Sequence, residues 1–465
     1  MRSLYFYISS ILVGALFFAF ARWLGNDYLF FAGYTVLQFI VLATAWNILG
    51  GYCGYVNFGS AAFFAVGAYS TVALHKFGMN IDRYAPESIA PLLHAIMPFS
   101  IPILTLIAGV VAGLIGLGTG YLTLRLRGAF FAIATLALAV VLQTLIVNWD
   151  YVGGSRGAYI IRPQTVPIIG SYIQYLFLLM IALAVAALTV ARVIERSRLG
   201  YGFATIRDDE LAAEACGVPT LKLKLIACTI SGGLMGMAGA SFPYYIGYLE
   251  PGSAFGLAYA VNSIAMPMIG GTTMWAGPLI GALLLGIIQQ IATVTISSAV
   301  NLLIVGLLLI GFVIMAPNGI VGMVKEFLRV AAPSRVDLRA VKLLTIAAYC
   351  LLVGLGGVVF GLSAAMAAKG SALTGLGAFT IVLSLVYLAA AYGLLKIESW
   401  SPYLTKSVLA VSIPLSLLFI WLDPSNFNIV GLTISIVIDL AMIWLLQGRD
   451  IKQLYQSITE RRVVS

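Results

Sequence analysis

The sequence predicts an all-α polytopic membrane protein of about fourteen transmembrane or re-entrant helices. Three observations carry this reading. Hydrophobic residues make up 61% of the 465 and charged residues only 9%, against about 25% charged in a soluble domain, so polar surface is too scarce to face water on all sides. Several apolar runs approach the ~20 residues that cross ~30 Å of hydrocarbon. Lysine and arginine concentrate on alternate connections between those runs.

The runs lie at 4–22, 29–49, 52–74, 101–122, 129–147, 171–193, 225–248, 257–272, 274–296, 300–316, 343–366, 374–395, 407–422 and 427–446. Without water in the bilayer core, each must be a helix, or a broken helix buried among helices. The first is longer than the apolar region of a signal peptide and reads as an uncleaved helix. The third sits in "GGYCGYVNFGSAAFFAVGAYS" (50–70), where Gly50 and Gly54 form a small-xxx-small pair suited to close helix approach. This run and the pair flanking Gly270 are compatible with straight, broken or re-entrant paths.

With the N-terminus inside, the connections hold 20 of the 26 basic residues on the inner side. The topology therefore accounts for the net charge of +9, places both termini in the cytoplasm, and calls for no nucleic-acid partner. Outside segments of about 75–100 and 148–170 are long enough to carry structure. The inside loop 194–224 is the most polar stretch. A basic linker, 325–342, separates a domain at 1–324 from an extension of four spans at 343–465.

Several chemistries are disfavoured by spacing. Cys53, Cys216, Cys228 and Cys350 form no CxxC pair, so neither a disulfide framework nor a zinc site is indicated. His75 and His94 lack ligand spacing, and no metal or other cofactor is expected. No GxxxxGK[ST] motif is present, so the chain has no P-loop with which to bind ATP. Gly116, Gly118 and Gly120 lie in a membrane run and read as packing residues. Asp439 falls inside the last span, where a charge costs at least ~2.5–3.5 kcal/mol on insertion scales; a packing role is the expectation.

The inside loop reads "RLGYGFATIRDDELAAEACGVPTLKLK". Asp208 and Asp209 suit a helix N-terminus, a short helix follows through Glu210 to Cys216, Gly217 suits its C-cap, and Pro219 lies just beyond. Glu210 and Glu214 are like charges at i,i+4, mildly unfavourable in a lone helix. A basic partner groove would relieve them.

This loop resembles the EAA-type cytoplasmic loop of ABC importer permeases, and "IRDDELAAEACGV" is similar to the version in branched-chain amino acid permeases. The resemblance runs from about 28 to 325, through "AWNILGGYCGYVNFGSAAFFAVGAY", "LRLRGAFFAIATLALAVVLQ", the loop, "IGGTTMWAGPLIGALLL" and "APNGIVGMV", and is to the longer of the two permease subunits. It implies a membrane subunit of a bacterial plasma-membrane importer, with a second permease, two cytoplasmic ATPases, an extracytoplasmic substrate-binding protein and membrane lipids as partners. It implies that Arg207, Asp208, Asp209, Glu210, Glu214 and Gly217 couple to an ATPase, which would do the enzymatic work. Asn47, Asn57, Ser60, Gln143 and Asn262 are candidate lining groups for an amino acid with an apolar side chain; Gln289 and Gln290 are further uncharged polar groups in the apolar spans. Interhelical hydrogen bonding, worth ~0.6 kcal/mol on average, is the competing role for each. Ser60 stands where the family usually has His and Ala129 where it commonly has Asp, and ordinary members lack the C-terminal extension. Urea or a short amide is accordingly an alternative cargo, and a stand-alone secondary transporter or channel an alternative machine.

Overall fold

The computed structural model describes residues 2–84, 99–161, 170–295, 318–331, 338–367, 371–422 and 429–448, with scattered positions between them. The chain divides into two compact units, Met1–Ile287 and Ile288–Ser465. The membrane helices of the first are α1 (Arg2–Leu24), α2 (Asp27–Gly50), α3 (Ser60–Met79), α4 (Ile101–Thr123), α5 (Ala129–Val147) and α6 (Tyr172–Glu195). Two helices outside the spans, α7 (Arg198–Asp208) and α8 (Glu210–Ala215), lead into α9 (Thr220–Ala240), α10 (Leu257–Gly270) and α11 (Ala276–Thr295).

Small residues set how these helices meet. Helix α9 packs against α2, α3 and α4, while α2 also packs on α6. A Cβ on Gly67 would stand 2.0 Å from the Gly236 carbonyl oxygen, and one on Gly239 would stand 1.9 Å from that of Phe64. The α3 and α9 backbones are thus in direct contact. In lipid, where apolar surface gains nothing by leaving the solvent, such approach is a main source of association energy. Helix α2 is buried along most of its length. By contrast, α1 and α5 are largely exposed along their apolar lengths, so both present outer apolar faces.

Two features sharpen the expected spans. Residues 51–59 are not helical, and α3 starts only at Ser60; the third run is a broken segment. Helices α10 and α11 are likewise separated, between Gly270 and Ala276. Among the described residues, ten helices are long and apolar enough to cross a membrane. Helix α3 falls short of that apolarity because Ser70, Thr71, His75 and Lys76 dilute it. The expected span at 300–316 lies largely outside the described residues, and so does much of the expected loop at 75–100.

At one end of the first unit Lys76 Nζ donates to the Tyr151 carbonyl at 3.2 Å, and the Tyr151 hydroxyl donates to that of Ala73 at 3.1 Å. Ala158–Tyr159 pairs antiparallel with Tyr248–Leu249 at this end. The opposite end carries residues 51–59 and 195–220.

The second unit contains α12 (Gly319–Ala331), α13 (Leu338–Ala367), α14 (Ser371–Lys396), α15 (Ser401–Leu422) and α16 (Ile429–Gln447). Helices α13 and α14 form a tight antiparallel pair, with α15 and α16 packed in succession. Its core includes Phe327, Leu343, Ile346, Cys350, Leu394 and Leu409.

Replacing Gly239 by Val should cost about 3 kcal/mol or more, above the ~1–3 kcal/mol usual for overpacking, because the obstacle is backbone. Size-exclusion of detergent-solubilised protein should show loss of the monodisperse peak. Gly118→Ala, where an added Cβ meets nothing within 4 Å, should behave as wild type.

Candidate functional site

The site is built on α7 and α8. The Ser197 side chain accepts from the Leu199 and Gly200 amides and starts α7. Asp209 ends α7 and also caps α8, its carboxylate accepting from the Ala212 amide at 3.0 Å. After Ala215 the chain closes with Gly217 at φ +82°, its amide donating to Glu214 and that of Val218 to Ala213. That left-handed turn is what glycine permits at a helix end. The helix runs Glu210–Ala215 with Asp209 as its cap, close to the expected extent. Asp208 is instead the last helical residue of α7, just before the Asp209 cap, and is exposed and paired with Arg207 at 3.1 Å.

The two glutamates are received inside the chain. Lys224, on the second turn of α9 and only 3% exposed, places Nζ 2.7 Å from Glu210 Oε1. It also donates to the Leu124 carbonyl at 2.9 Å and the Tyr55 hydroxyl at 3.1 Å. The Tyr55 hydroxyl in turn donates to Glu210 Oε2. Arg127, between α4 and α5, reaches Glu214 at 3.2 Å and Glu210 at 3.6 Å. The Thr220 hydroxyl donates to Glu214 Oε1 at 2.7 Å. The basic groove that the like charges require is therefore made by Arg127 and Lys224.

Burial by itself would raise the Glu210 carboxyl; hydrogen bonds from Lys224 and Tyr55 and the charges of Lys224 and Arg127 outweigh it and hold the group below its ordinary value. The clamp reaches further along the same end. Gly54, at φ +79°, packs against Arg207, whose Cγ would lie 3.1 Å from an added Cβ. Glu195 accepts from the Trp275 amide at 2.7 Å, fixing the break between α10 and α11.

The outward face is different. Tyr201, Asp208, Leu211 and Ala215 are exposed, Tyr201 and Leu211 at 73% and 63%. Tyr55, Arg127, Lys224 and Leu211 escaped the sequence reading. Lys224 counted there only as one more inside cation, and a hydroxyl or apolar side chain in a loop carries no spacing signal.

The membrane candidates separate into a group and an outlier. The Asn57 carboxamide oxygen accepts from the Gly59 amide at 2.7 Å, and its carbonyl accepts from Trp46 Nε1 at 2.9 Å. These bonds shape the turn into α3. Ser60, the first residue of α3, faces Ser263 of α10 with the hydroxyls 2.8 Å apart, both buried. Asn262 is the neighbour of Ser263 and is 7% exposed. Asn47 is buried beneath the Gly51 turn, close to the Thr272 carbonyl. Gln143 stands apart, half-buried on α5. A cavity of about 10 Å³ touches Asn57, Thr119, Thr123 and Thr135, room for about one water. Among the described residues no group of three His, Cys, Asp or Glu side chains converges.

Glu210→Ala would leave the Lys224 ammonium buried and unpaired. The expected loss is about 2–3 kcal/mol, below the ~3–5 kcal/mol of a fully buried pair because water reaches one side of Glu210. Lys224→Met added to that variant should restore most of it, read as thermal unfolding in detergent. Because the folded-state carboxyl is held low, its contribution is complete above the ordinary value of 4.5 and is lost as pH falls through the lower folded value. The melting-temperature gap between wild type and Glu210→Gln should therefore close on acidification; a gap that persists in acid would refute the charged clamp.

Comparison with known proteins places these elements in a family. Residues 28–313 match the family described as branched-chain amino acid transport system / permease component, and residues 328–448 match a family described as predicted membrane protein (DUF2127). The high-affinity branched-chain amino acid transport system permease protein LivM of Escherichia coli (strain K12) is 26% identical over 317 residues, covering 63% of this chain and 69% of that relative. LivM of Salmonella typhimurium is 25% identical with the same coverage. The probable branched-chain amino acid transport permease protein LivH of Methanocaldococcus jannaschii is 24% identical over 285 residues, covering 57% of this chain and 82% of that protein. No solved structure matches. The first family match takes in α2 to α11, the whole clamp and the broken segment before α3, and extends over more than half of the chain; this multi-pass membrane protein belongs to the branched-chain amino acid transport system permease family.

Proposed function

We propose that this chain is the membrane-spanning permease subunit of an ATP-driven importer for branched-chain or other small amino acids. The observation that carries this is the α7–α8 pair, whose inward face is clamped on Lys224 and Arg127 while Tyr201, Asp208, Leu211 and Ala215 face outward. A short helix held in this way can receive force from a partner and pass it to the membrane helices. Of two cytoplasmic ATPase subunits, one docks on this face; Arg207, Asp208, Asp209, Glu210, Glu214 and Gly217 form the coupling element. Hydrolysis belongs to those partners, so this polypeptide is not itself the enzyme.

The exposed apolar faces of α1 and α5 are where lipid and a second permease subunit make contact. A substrate-binding protein delivers cargo at the end held by Lys76 and Tyr151. Asn47, Asn57, Ser60 and Asn262 serve the pathway, with Gln143 on α5. Alternation of access follows from ATP-driven population shift between two arrangements of the helices. The permease region extends to 324, the linker covers 325–342 and the extension 343–465; the family matches ending at 313 and starting at 328 support this division. Positive-inside bias supports cytoplasmic termini in a bacterial inner membrane.

The buried Ser60–Ser263 hydroxyl pair supports a second cargo. It offers neutral donors and acceptors and no charge, which suits urea or a short amide. Leucine uptake without urea uptake by the reconstituted importer is expected for the first reading, and the reverse for the second. Leu211→Arg, on an exposed position, should cut ATPase co-purification at least about tenfold, as expected of an interface anchor, with thermal stability unchanged. Full retention would place docking elsewhere, and cargo transport without any ATPase would overturn the importer.

A further inference from the structure

The second unit contains a charged group that nothing in the importer cycle uses. Asp439 lies near the middle of α16 and is 1% exposed. The Tyr349 hydroxyl of α13 donates to Oδ1 at 2.6 Å and the Ser412 hydroxyl of α15 donates to Oδ2 at 2.6 Å. Among the described residues no basic side chain pairs with it; hydroxyls are its hydrogen-bonding partners. A carboxylate in hydrocarbon without a cation is costly, and intramembrane carboxylates usually face a partner or a functional cavity.

Such a cavity is present. Asp439 opens on a space of about 240 Å³ between α13, α14, α15 and α16, which Ser384, Tyr387, Ser416 and Ser435 also line. The Tyr387 hydroxyl approaches Ser412 but forms no hydrogen bond of proper geometry, although Tyr387 is only 2% exposed. Phe360 stands on the apolar side of the same space. The cavity is much larger than a bare metal ion needs, and much of its wall is hydrocarbon. It has one negative group, several neutral hydroxyls and aromatic rings. An ammonium carries three N–H donors and no acceptor, and an attached short carbon chain would fill the apolar remainder. Pockets for small organic solutes have this character: mostly apolar, with a few placed polar groups.

We infer that the second unit binds a small primary organic ammonium ion in this cavity, with Asp439 pairing the ammonium, Ser384 and Tyr387 offering hydroxyls, and Phe360 packing on its carbon chain. Occupancy would place a cation against the buried carboxylate. The site belongs to the second unit alone and stands whether or not the first unit carries amino acids.

The test uses full-length protein in detergent without ATPase, and n-propylammonium chloride as the probe. Saturable binding by calorimetry is expected, roughly tenfold weaker or worse in Asp439→Asn, which loses a charge-assisted hydrogen bond. A second measurement on wild type does not depend on that variant folding. An apolar carbodiimide should label Asp439, as located by mass spectrometry, and propylammonium should protect it where sodium chloride at equal concentration does not. Protection by sodium alone would overturn the organic-cation assignment. Absence of protection by either salt, absence of labelling at Asp439, or equal propylammonium binding by wild type and a folded Asp439→Asn would overturn the site.

Discussion

The fold of the first unit turns on one buried cation. Lys224 sits at the start of α9, the helix against which α2, α3 and α4 all pack, and it is almost wholly removed from water. An ammonium there must be paired. Glu210, Tyr55 and the Leu124 carbonyl meet that demand, and each comes from a different part of the chain. The requirement to neutralise one charge thus ties together the loop after α4, the broken segment before α3, and α8. In the proposed importer, a displacement of α8 by a docked ATPase would reach α3 through Glu210 and Tyr55. Ser60 is only five residues further on, where α3 meets α10.

The glycine-rich character of α3 and α9 has the complementary role. Where Gly67 lies on Gly236 and Gly239 lies on Phe64, no side chain fits between the backbones. Helices in such contact are held by shape and dispersion, which act at short range. Small shifts between alternative packings are then the natural way for a force at one end to be expressed at the other. The break at 51–59 gives α3 a start that is set by hydrogen bonds, from the Gly59 amide to the Asn57 side chain and from Trp46 to the Asn57 carbonyl.

The second unit meets the rule about buried charge differently. Among the described residues, Asp439 has hydroxyl neighbours and a cavity beside it. The same physical demand that closes the clamp around Lys224 leaves room beside Asp439 for a positive solute. The two units thus present opposite cases of one constraint: a cation that the chain itself pairs, and an anion that meets only neutral groups among the described residues.

Much of this was legible in the residues themselves. Apolar run length and the scarcity of charge determine a helical membrane protein, because a bilayer leaves the backbone no other partner than itself. Capping chemistry is equally local, so Asp209, Gly217 and the helix between them could be read directly, and an ordered set of blocks carried the family resemblance. What Glu210 does could not be read. Its carboxylate has the composition of a docking contact, and only the fold brings Lys224, fourteen residues on, and Tyr55, far earlier in the chain, within bonding distance of it. Likewise Ser60 and Ser263 become a pair, and Asn57 a turn residue, through contacts made across long sequence separation or in a non-helical segment. Local propensity and hydropathy depend on near neighbours and so survive in sequence; charge pairing across helices depends on packing, and the tertiary structure alone decided it.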